Sequence, residues 1–125
     1  MKVLGVDPGI HGGLAIVEII DGAAPQIIAI SDIPVAGVGA KERVDPLAVA
    51  KWIQTHQPDH AVIERAQAMP KQGASSGFKY GRSVGAIEAV IACCEIPMRS
   101  SNQQRGRSFT ICTRHPARLQ QKSKK

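Results

Sequence analysis

The first 32 residues constrain this chain more than any other stretch. Three β-rich runs follow one another there: Lys2–Asp7 (KVLGVD), Gly13–Ile20 (GLAIVEII) and Gln26–Ser31 (QIIAIS). The segments between them, 8–12 and 21–25, are five residues each. Parallel neighbours need a crossover of a dozen or more residues, so connections this short predict an antiparallel meander. The turns are marked by Asp7-Pro8-Gly9 and by Asp21-Gly22.

Beyond the meander the chain alternates. Pro34 to Arg43 reads as a Gly- and Val-rich loop. Asp45 then supplies a side-chain acceptor at an N-cap, and Pro46 suits the first helical position because its missing N–H is not needed there. That helix is expected to bury Leu47, Ala50 and Ile53 and to stop before Pro58. His60–Glu64 (HAVIE) reads as a fourth strand, and Arg65 to Ser76 as a loop. A second helix follows, with Val84, Ile87, Ile91 and Cys94 on one face, Ser75 or Ser76 as its cap and Pro97 closing it. The order is β-β-β-α-β-α, an α/β fold with a mixed sheet.

At 43% hydrophobic and 21% charged, 125 residues suit a single globular domain. Only four aromatics occur, so the core must come from Val, Ile, Leu and Ala, and a stacking platform for single strands is not expected. No apolar run approaches the ~18 residues needed to cross a bilayer. Cys93, Cys94 and Cys112 form no CxxC pattern; read as small buried hydrophobes, they suit a reducing, cytoplasmic compartment.

The formal charge of +6 is unevenly placed. Residues 1–98 hold 8 Lys+Arg and 10 Asp+Glu, whereas residues 99–125 hold 8 Lys+Arg and no acid. The body, 1–98, is therefore slightly acidic. The segment 99–125 reads as a basic, solvated tail.

Two carboxylates end apolar strands, Asp7 and Glu64. Such a group is costly to bury unless a cation or donors meet it. If the two strands are parallel neighbours, the carboxylates meet and repel unless a divalent cation bridges them. Hard oxygen ligands select Mg²⁺ or Mn²⁺ over zinc. The alternative is local: Asp7 caps the Pro8-Gly9 turn, and Glu64 pairs with Arg65 or Lys71. The glycines of residues 7–13 (DPGIHGG) allow backbone N–H groups to approach a phosphate, or simply form a hairpin turn. No Gly-Lys-Ser/Thr follows, so this is no Walker A loop. From Gln67 to Arg82 the chain carries Lys71, Lys79 and Arg82 beside Ser75, Ser76, Phe78 and Tyr80. Cations, hydroxyls and aromatics together suit a nucleic-acid backbone and an unstacked base. An ordinary loop before a helix, with Phe78 in the core, is the competing reading.

Gly5-Val6-Asp7-Pro8-Gly9, Ala61-Val62-Ile63-Glu64 and the stretch from Gln67 through Gly85 resemble RuvC-type Holliday-junction resolvases. The resemblance covers roughly residues 1–98 and is closest to shorter, phage-like members. It implies an RNase H-like fold, a homodimer, four-way or otherwise branched DNA as partner, and phosphodiester hydrolysis by two-metal catalysis with Mg²⁺ or Mn²⁺. It places Asp7 and Glu64 as catalytic metal ligands, and Lys71, Ser75, Ser76, Lys79 and Arg82 near DNA. It also sets an expectation of impaired cleavage. The family's remaining acidic ligands lie on a final helix, and no Asp or Glu follows Glu95 here. The break at Met98/Arg99 is read as a truncation or a displaced reading frame, which sequencing the DNA beyond the Pro97 codon checks. The alternative function is a non-catalytic nucleic-acid-binding protein that uses the basic tail. A sugar-kinase or actin-type nucleotide-binding domain has a similar first strand and turn, but such chains are much longer.

Overall fold

The structure, a computed structural model, describes residues 1–65 and 73–101. β1 (Lys2–Asp7), β2 (Gly13–Glu18) and β3 (Gln26–Asp32) form the expected antiparallel meander. A short ladder of β4 (Val35–Ala36) and β5 (Arg43–Val44) follows, then α1 (Pro46–His56), β6 (His60–Glu64), α2 (Ala74–Cys93) and β7 (Met98–Ser101). The main sheet runs β3-β2-β1-β6-β7, with β6 and β7 parallel to β1.

Strand periodicity explains the core. Leu4 and Val6, Leu14 and Ile16, and Ala61 and Ile63 alternate to one face and are all buried. Val49 and Ile53 of α1 and Ile87, Val90 and Ile91 of α2 join them in the same cluster. Both helices therefore cover one face of the sheet.

Asp45 caps α1 as expected, its Oδ1 accepting from the Leu47 and Ala48 amides at 3.1 Å each. The helix ends at His56, and Gln57 turns it off in the left-handed region at φ 48°. Ile53 is buried and Ala50 packs against the core as expected, but Leu47 is 65% exposed and Val49 lies in the core instead. Proline and the cap fix where α1 begins but not which face turns inward.

Four further expectations are corrected. The Pro34–Arg43 loop contains β4, β5 and a single 3-10 turn, Gly39–Lys41. The cap of α2 is Gly73, so Ser75 and Ser76 lie inside the first turn. Phe78 is 73% exposed and outside the core. Cys93 is exposed and Cys94 half-buried, so neither is a fully buried hydrophobe. The chain also does not stop at α2: it leaves that helix before Pro97, passes Glu95 at φ 58°, and adds β7 across the Met98/Arg99 break. The MRSS strand has one large apolar residue, so period-2 hydrophobicity could not reveal it.

Candidate nucleic-acid interface and carboxylate pair

β1 and β6 are parallel neighbours, with Val6 opposite Ile63. The next residues along are Asp7 and Glu64, which end their strands side by side. Asp7 is exposed and Glu64 half-buried. This is the arrangement in which two carboxylates repel unless a cation joins them.

The turn after Asp7 is tightly wound. Gly12 N–H donates to the Gly9 carbonyl at 3.0 Å, and the Gly12 carbonyl accepts from Ile33 N–H at 3.1 Å. A Cβ at Gly12 would fall on the Asp7 carbonyl, so only glycine fits. The turn thereby keeps the backbone low beside Asp7.

Over this turn lies Tyr80, from the second turn of α2. Its ring edge is 4.0 Å from where a Cβ on Gly9 would sit. Burial raises the phenol's pKa above its ordinary value, and the negative charges of Asp7 and then Glu64 raise it further. One neutral O–H donor thus stands near both carboxylates. Spacing gives Tyr80 no role of its own; it is one of two aromatics in a polar stretch.

A groove of about 970 Å³ opens beside Asp7. Its floor is the Gly9–Gly12 turn with His11. One wall is α2, which brings Ser75, Ser76, Lys79 and Arg82 to the groove. Ser75, Lys79 and Arg82 are spaced i, i+4, i+7, so they share a face. The other wall is the β4–β5 connection, carrying Lys41, Glu42 and Arg43. A Gly- and Val-rich loop gives no reason to single these cations out; the Lys-Glu-Arg run is the available signal. Half of the eight cations of residues 1–98 line this groove, against two of its ten acids, Asp7 and Glu42. The body is acidic as a whole and locally basic here.

A smaller recess of about 430 Å³ lies beside Glu64 and is lined also by Arg65, Glu88 and Ser100. Tyr80 borders both cavities. Lys71, the remaining cation anticipated for the site, lies outside the described residues. Among the described residues no group of three or more His, Cys, Asp or Glu is placed to hold a metal. Asp7 and Glu64 are the carboxylates at adjacent strand ends that could share a hard divalent cation. No described helix is long and apolar enough to cross a membrane.

No family model matches the chain. A crossover junction endodeoxyribonuclease RuvC from Mycobacterium sp. (strain KMS) is 32% identical over 97 residues, covering 72% of this chain and 51% of the relative. The enzyme of that name from Mycolicibacterium vanbaalenii is 34% identical over 99 residues, covering 74% and 48%. Over this stretch the chain is related to the RuvC resolvases. It spans about half the length of the RuvC relatives it matches. Thermus thermophilus RuvC, solved in complex with a Holliday junction substrate, superposes with a TM-score of 0.67 at 20% identity. That match covers 82% of this chain and 64% of the other. The fowlpox virus Holliday junction resolvase gives a TM-score of 0.52 at 18% identity, covering 87% and 66%. At these identities the likeness is one of fold, and the expected RNase H-like, RuvC-type architecture is borne out.

Proposed function

We propose that this RuvC-like chain binds branched, four-way-junction DNA at the groove beside Asp7 and carries an incomplete phosphodiester-cleaving site there. The observation that carries this reading is the register of β1 against β6. It sets Asp7 and Glu64 at adjacent strand ends, next to a groove holding four of the body's cations. Lys79 and Arg82 attract backbone phosphates, and the hydroxyls of Ser75 and Ser76 add hydrogen bonds to phosphate oxygens. Asp7 and Glu64 would hold a single Mg²⁺ or Mn²⁺, which when bound supplies Lewis-acid activation of a phosphoryl oxygen and of water. Tyr80, kept protonated, adds a donor in the same place.

Two carboxylates neutralise one divalent ion and leave a second uncompensated, so this chain by itself is expected to cut weakly or not at all while still binding. The test is a binding and cleavage assay with a synthetic four-way junction and Mg²⁺. Salt-sensitive binding with junction preference, and little cutting, is expected. Robust cutting that disappears in Asp7→Asn would overturn the incomplete-site reading. Equal affinity for junction and linear duplex would overturn the branched substrate. The resemblance also implies a homodimer, for which sedimentation of the chain alone and with junction gives the stoichiometry.

A further inference from the structure

We infer that the β4–β5 hairpin is a second nucleic-acid wall, in which Lys41 and Arg43 take phosphates across the groove from Lys79 and Arg82. The inference rests on the proposed nucleic-acid function and extends it to an element that no resemblance or spacing singled out.

The hairpin is a built feature. Val35 pairs with Val44 and Ala36 with Arg43, so Arg43 is held in a ladder. The turn between them needs glycine twice: Gly37 has φ 93° and Gly39 φ 58°, the left-handed region that other residues seldom adopt. A Cβ on Gly37 would also meet the Lys41 carbonyl. Lys41 N–H donates to the Val38 carbonyl at 3.2 Å, and Glu42 N–H to the Gly39 carbonyl at 3.0 Å. Asp45 N–H donates to the Pro34 carbonyl at 2.8 Å and closes the base.

The hairpin is also fixed relative to α2. Val44 is 4% exposed and shares the core cluster with Ile87 and Val90, and β5 packs directly on the helix. The hairpin and α2 are therefore held against each other, and both line the groove beside Asp7. Lys41 and Arg43 are both exposed, so their charges meet solvent or a ligand and do not serve the core. A nucleic-acid strand laid along this groove presents phosphates to both walls as it passes Asp7. Glu42 interrupts the wall and opposes the same phosphates.

Anisotropy titration of a fluorescent four-way junction over a salt series tests this on the full chain, with thermal unfolding as a control. Lys41→Ala/Arg43→Ala should weaken binding about tenfold at low salt and flatten log K against log [salt] by roughly 1 to 2, since each phosphate contact contributes about 0.9. Lys79→Ala/Arg82→Ala should act similarly, and Glu42→Gln should tighten binding. If the hairpin variant binds like wild type while the α2 variant weakens, the inference fails and the proposed function stands. If the wild-type chain shows no salt-dependent binding, the proposed function fails and the inference with it. Should the hairpin variant unfold, Glu42→Gln decides alone: affinity no tighter than wild type overturns the inference.

Discussion

Tyr80 is the only tyrosine in the chain, so its ionisation can be followed without interference. Burial, then Asp7, then Glu64 raise its pKa. Because the folded state holds this proton more tightly than the unfolded chain does, the associated stability is present below pH ~10 and is lost as pH rises through the folded value. An ultraviolet titration of tyrosinate should therefore give a midpoint above that of a free tyrosine. Asp7→Asn should bring it down part of the way, leaving the contribution of burial; an unmoved midpoint would show that Asp7 exerts no field on the phenol. Gly12 is equally specific to its place. Gly12→Ala would force a Cβ into the Asp7 carbonyl and should cost ~1–3 kcal/mol of stability in denaturant unfolding. That requirement was half legible: a DPGxxGG turn announces itself, but the carbonyl that excludes a side chain comes only with coordinates.

Among the elements, α1 shows how far local rules reach. Its cap was readable from Asp45-Pro46, and Asp45→Ala should lower stability by ~1 kcal/mol. Its buried face was readable only in part: Ile53 is buried and Ala50 packs on the core, whereas Leu47 is exposed. Leu47→Ala should change stability by less than about 0.5 kcal/mol, whereas Ile87→Ala on α2 should cost ~2–5 kcal/mol; urea midpoints of the two variants give the comparison. An apolar residue in the first turn satisfies the helical period whichever way the helix rolls, and packing against α2 and the sheet decides. Ser75 and Ser76 have the right chemistry for an N-cap, yet the cap lies two residues before Ser75, at Gly73. The two-residue strands β4 and β5 carry too few positions for any periodicity, so the basic wall they support was hidden with them.

At the scale of the molecule, two sources of positive charge compete to explain nucleic-acid binding. One is the groove, built from cations on two packed elements. The other is residues 99–125, with eight cations and no acid. A chain stopped after Ser101 keeps β7 and separates them. It should lose affinity and part of the salt dependence, because fewer phosphates are neutralised, but keep its preference for a four-way junction over linear duplex. Loss of all binding would assign the activity to the tail.

The amino-acid sequence alone determined the meander, the capped start of α1, and the two apolar strands that stop at Asp7 and Glu64, because each depends on neighbours within a few residues. It also carried a resemblance specific enough to anticipate the RuvC-type fold. Which strands pair is a different kind of information. Asp7 and Glu64 are far apart along the chain, and only the parallel register of β1 on β6 makes them adjacent. Lys41 and Arg43 likewise line one groove with Lys79 and Arg82 only because Val44 anchors a glycine-turned hairpin against α2. Those juxtapositions belong to long-range packing, which no local pattern encodes.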